Sequence, residues 1–81
     1  MLTFRLQILS LRRVLFDGEV ELVHVWGDEG EYDLLPFHYP LLGALPEGEV
    51  QIKGHPNVPL RTGVLLFKDN RCTIIVEEKD K

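Results

Sequence analysis

The chain has 81 residues, of which 44% are hydrophobic and 27% charged, the size and make-up of one small globular domain. Thirteen acidic residues outnumber nine basic ones, and the basic residues are scattered, so the basic patch that nucleic-acid binding requires is not expected. So short a chain leaves little scaffold for a deep catalytic cleft, which favours a binding or structural module over an enzyme.

In chain order, Thr3 to Leu9 alternates polar and apolar residues with period 2, as a half-buried strand should. Leu11 to Phe16 is a second apolar stretch, and Asp17-Gly18 is expected to close it as a turn. Glu19 to Trp26 alternates first and is then apolar on both faces, apart from His24. Gly27 to Glu31 is an acidic, glycine-bracketed turn, followed by Tyr32-Asp33-Leu34-Leu35 and the proline-punctuated Pro36-Phe37-His38-Tyr39-Pro40. Leu41 to Leu45 is expected as a short strand in preference to one helical turn, and Glu49 to Lys53 alternates again. Gly54 to Pro59 is rich in turn formers. Leu60 to Lys68 and Arg71 to Glu77 are expected as a hairpin joined at Asp69-Asn70, because both residues tolerate left-handed backbone. This is an all-β pattern of about eight to ten short strands, a flattened sandwich or barrel over residues 1–77, with a charged tail at 78–81.

Cys72 is the single cysteine, which rules out an internal disulfide; its expected place is a buried position on a strand. No apolar run approaches the roughly 20 residues of a membrane span, so membrane association is expected only indirectly, through a partner. His24, His38, His55 and Cys72 share no ligand spacing, so no metal site is expected. His24 is expected within a strand with its ring nitrogens satisfied, and His55 in solvent. The one serine, Ser10, lies in no nucleophile motif, and neither phosphate-binding glycine motif is present. No catalytic residue and no cofactor site is expected.

The central segment carries the functional signal. Asp28, Glu29, Glu31 and Asp33 place four carboxylates within six residues, directly before Leu34-Leu35-Pro36-Phe37-His38-Tyr39-Pro40-Leu41-Leu42. Proline stiffens a loop and cannot donate to a ladder, so this stretch is expected as a fixed projection that loses little entropy on docking. Equally, Phe37, Tyr39, Leu41 and Leu42 could simply close one end of a small sandwich.

This segment resembles the epsilon subunit of F-type ATP synthases. Glu31 to Leu42, followed by Leu45-Pro46-Glu47-Gly48, is similar to that family's run E-F-G-I-L-P-G-H-A-P-L-L and its following P-G. Phe16-Asp17-Gly18-Glu19-Val20-Glu21, Gly27-Asp28-Glu29-Gly30-Glu31, Gly63-Val64-Leu65, Lys68-Asp69-Asn70 and Thr73-Ile74-Ile75-Val76 match other family motifs in order, over residues 3 to 77. Asp33, Phe37 and Tyr39 depart from it, replacing two glycines and an alanine, and Thr62-Gly63 stands where the family has a glycine pair. Aspartate tolerates positive φ better than most residues, so position 33 is expected to keep its backbone shape, whereas phenylalanine at 37 is less easily accommodated if that backbone is left-handed.

The resemblance implies a ten-stranded sandwich with no active site, at the foot of the central stalk on the cytoplasmic face of the cell membrane. There it would join the gamma subunit to the membrane ring of c subunits and couple ion flow to ATP synthesis. It further implies that Asp28, Glu29, Gly30 and Glu31 meet the ring, and that His38, Tyr39, Pro40, Leu41 and Leu42 meet gamma. The resemblance covers the sandwich domain; most members continue into a C-terminal helical hairpin, and a short form lacking it is the expectation. A stand-alone sandwich adaptor that grips another protein through Phe37 to Leu42 is the alternative.

Overall fold

The computed structural model describes residues 1–79; Asp80 and Lys81, at the end of the expected tail, lie outside the described residues. It is all-β, with β1 (Phe4–Leu9), β2 (Val14–Val20), β3 (Val23–Gly27), β4 (Gly30–Leu34), β5 (Leu41–Leu45), β6 (Gly48–Ile52), β7 (Val58–Lys68) and β8 (Arg71–Glu78). The ladder runs β2-β1-β8-β7-β6-β3-β4, and β5 joins at β7.

Two layers arise because β7 is shared. Its residues 63–67 pair with β5 and 58–60 with β6, and a bulge between Leu60 and Thr62 lets the strand bend from one layer into the other. The result is a slab of 36 × 25 × 19 Å. Gly63, beside that bulge, has no room for a side chain: a Cβ there would lie 2.8 Å from the Ile75 carbonyl oxygen. β1 and β8 lie side by side in parallel, so the two ends of the domain support each other.

Every strand contributes to one core. Phe4, Leu6 and Ile8 of β1, Val23 and Val25 of β3, Leu65 and Phe67 of β7, and Cys72, Ile74 and Val76 of β8 are all buried, following the period-2 alternation of each strand. Each such side chain contributes about 1.5–3 kcal/mol when fully removed from water. The rings of Phe4 and Phe67 meet at 5.3 Å with a 59° tilt. Burial pushes the Cys72 thiol up to about 12, so it packs as an inert hydrophobe.

Three expectations are corrected. There are eight strands, within the range read from the residues but below the ten that the resemblance implies, and they form one continuous sheet in which the long β7 pairs with β5, β6 and β8. Asp17-Gly18 makes no turn: Asp17 pairs with Gln7 and Gly18 with Leu6 inside β2, and Arg5 Nε donates to Asp17 Oδ1 at 2.7 Å across the ladder. The break comes later, at Glu21-Leu22, which divides the expected strand Glu19 to Trp26. The hairpin at Asp69-Asn70 is as expected, with φ of 54° and 59° at the two turn residues.

Candidate docking surfaces

The acidic residues lie on the β3–β4 hairpin. Gly27 pairs with Gly30, leaving Asp28 and Glu29 exposed at a tight tip, and Gly30 takes φ of 126°, which a side chain would disfavour. The Asp28 backbone N–H donates to the Ala44 carbonyl at 3.2 Å, which fixes the tip against the far end of β5. Gly27 lies beneath the Tyr32 ring, 2.4 Å from where a Cβ would sit, so ring and backbone lock the hairpin. Glu31 and Asp33 share the outward face of this layer with exposed Trp26 and half-buried His24. His24 has both ring nitrogens occupied, by Asp33 at 2.5 Å and Glu31 at 3.1 Å. Its pKa is held above the ordinary value, chiefly by the hydrogen bond to Asp33 and against the opposing effect of desolvation.

The proline loop lies at the other end of β5, about 13 Å away at 3.3 Å per residue. It has a built support. Phe37 has φ of 64°, and its N–H donates to Asn70 Oδ1 at 2.7 Å, while Asn70 Nδ2 donates to the Thr3 carbonyl at 3.0 Å. The left-handed backbone is at Phe37, despite its bulk, and Asp33 is an ordinary residue of β4. The His38 N–H donates to the Leu35 carbonyl at 3.1 Å, and its ring contacts Phe67 at 5.5 Å and Tyr39 at 4.3 Å between centroids. Phe37, Tyr39 and Pro40 are exposed. Leu41 and Leu42 part company: Leu41 turns in against the core, and Leu42 turns out.

Leu42 opens onto a surface that the sequence left undetected. Leu42 pairs with Leu66, Ala44 with Val64, and Val64 with Ile75, all outward-facing positions of adjacent strands. Next along the ladder, Ile75 pairs with Leu9 and Leu9 with Val14. Leu42, Val64, Leu66, Ile75 and Val14 are exposed, and Leu9 is half-buried. An outward sheet face this apolar is a candidate interaction surface. Its trace in the sequence is that Val64-Leu65-Leu66-Phe67 and Ile74-Ile75-Val76 are apolar on both faces. Such runs read as strands buried twice, although here one side lies open.

The histidines and the cysteine are dispersed. His24 is on the acidic face, His38 in the proline loop, His55 in the β6–β7 loop with its ring on Phe16 at 5.0 Å, and Cys72 in the core.

The family model for the β-sandwich domain of the ATP synthase delta/epsilon chain matches residues 3–79. The fold is similar to a chain in the cryo-EM structure of the Tetrahymena thermophila mitochondrial ATP synthase central stalk and c-ring. The TM-score is 0.78 and the identity 19%, with 91% of this chain and 63% of that chain covered, so the present chain spans less than two thirds of that neighbour.

Proposed function

We propose that this chain, which belongs to the delta/epsilon β-sandwich family of ATP synthase, is a non-catalytic central-stalk subunit that ties the gamma subunit to the membrane c-ring. In this role it couples ion translocation to ATP synthesis by making ring and stalk turn as one body, on the cytoplasmic face of the membrane. The supporting observation is that one rigid slab carries two surfaces of opposite chemistry, at separate places. The acidic tip of Asp28, Glu29 and Gly30, with Glu31 beside it, suits the polar, basic loops of a ring by charge and register. The apolar face of Leu42, Val64, Leu66 and Ile75, with His38, Tyr39 and Pro40 directly before it in the chain, suits a broad dry contact with gamma. Leu41 supports that contact from beneath, because its side chain packs on the core.

Transmitting torque requires contacts that do not yield. The hairpin tip is tied to β5 through Asp28, and the proline loop to the Asp69-Asn70 turn through Asn70, so both surfaces are braced before a partner arrives. Co-purification of the chain with its cognate gamma subunit tests the assignment. A one-to-one complex is expected, and separate elution under gentle conditions would contradict it.

A further inference from the structure

His24 is in an unusual position for a surface histidine, since both ring nitrogens meet carboxylates from the neighbouring strand. Asp33 is its direct partner in the β3–β4 ladder, and Glu31, opposite Trp26, reaches it on the diagonal. The contacts are 2.5 Å from Nδ1 to Asp33 Oδ1 and 3.1 Å from Nε2 to Glu31 Oε1. Carboxylates only accept, and a neutral imidazole donates from one nitrogen only, whereas imidazolium donates from both. A carboxylate at each nitrogen, one hydrogen-bonded and one at ion-pair distance, favours the charged ring.

The other groups facing the ring do not supply this charge. On β6, uncharged Gln51 lies opposite, and Glu49 precedes it by two residues on the same face. Lys53, two residues beyond Gln51, is ion-paired with Glu21 at 3.3 Å. On β3 itself, the Trp26 ring meets His24 edge-on at 5.9 Å.

We propose that His24 is a proton-operated latch on the acidic hairpin: charged, it ties Glu31 and Asp33 back onto β3; neutral, it keeps Asp33 and releases Glu31 to a basic partner segment. Asp33 is the retained partner because its contact is shorter and lies directly across the ladder. The sign follows from the raised pKa of His24. Its contribution is fully present below about 6.5, the unfolded value, and is lost as pH rises through the higher folded value. A cation docking at Glu31 competes with that proton. By linkage, docking lowers the His24 midpoint and protonation weakens docking.

This inference rests on the stalk assignment only for the identity of the basic partner, and its test needs no other subunit. In an NMR titration of the isolated chain from about pH 5 to pH 9, His24 should titrate above the value of about 6.5 of an unperturbed histidine. The Glu31 amide should shift with the same midpoint, and Glu31→Gln should lower that midpoint. Tetralysine should lower it in the wild type and leave it in place in Glu31→Gln. A His24 midpoint at or below 6.5, a silent Glu31 amide or an unresponsive wild type would each overturn the latch. Such a result would leave gamma binding untouched, just as a failure to bind gamma would leave the latch standing.

Discussion

Adjacent residues of β7 should respond in opposite ways to the same substitution. Leu66 is 46% exposed on the outer face, and Leu65, its neighbour, is 1% exposed in the core. If gamma covers the outer face, the open half of the Leu66 side chain is worth about 1 kcal/mol of binding. Leu66→Asp removes that and places a carboxylate in a dry contact, at an effective cost of several kcal/mol per ion. The dissociation constant for gamma should therefore rise at least ~100-fold, or about 2.7 kcal/mol. The fold itself should survive the change. An exposed strand position tolerates such a swap within about 1 kcal/mol, or some 4–8 °C in melting temperature for a domain of this size. Leu65→Asp buries the same charge in the core, and a stability of about 5–15 kcal/mol cannot absorb it with a margin, so this variant should be largely unfolded. Calorimetric titration with gamma gives the first quantity and circular-dichroism melting the second. A folded Leu66→Asp variant that binds gamma within twofold of wild type would refute the assignment of this face.

Gly63→Ala should cost about 1–3 kcal/mol, because the new methyl group meets the Ile75 carbonyl at 2.8 Å and Val76 Cγ1 at 3.1 Å; thermal melting reads this directly. Asn70→Gly keeps the left-handed turn but loses the bonds to Phe37 and Thr3, and urea unfolding should show a loss of about 1–3 kcal/mol. In acid, Glu78 is held below its ordinary pKa by Arg13 first and Ser10 second, and Asp17 by Arg5. Their contributions are present above the unfolded carboxylate values of about 4 and are lost as pH falls through the lower folded ones. Urea midpoints of the double variant Asp17→Asn with Glu78→Gln should fall less steeply below about pH 4 than those of wild type.

The sequence disclosed what local chemistry decides. Asp69-Asn70 specified its hairpin because both residues accept positive φ, and the two prolines kept residues 36–40 out of any ladder. Asp17-Gly18 misled, since a turn-forming pair is also tolerated inside a strand when Arg5 waits across the ladder for the aspartate. The double service of β7 was invisible because a bulge at Leu60 and Thr62 is set by tertiary packing and leaves no composition signal. The acidic hairpin was legible as a motif, but the clamp on His24 depends on cross-strand register, which fixes Asp33 opposite and Glu31 diagonal. The apolar outer face was hidden for a related reason. Alternation distinguishes a covered face from a wet one, and Val64-Leu65-Leu66-Phe67 presents hydrophobic side chains to both.

Photo-cross-linking in membranes containing the assembled synthase offers the most direct measurement, with a short-arm photoreactive maleimide on a cysteine introduced in place of Glu29 or Leu66. The native Cys72, buried and with its pKa pushed up to about 12, can stay in place as a silent background. Glu29→Cys should join the c subunit and Leu66→Cys the gamma subunit. Joining of both positions to a single neighbour, or of neither to gamma or c, would contradict a slab that bridges stalk and ring.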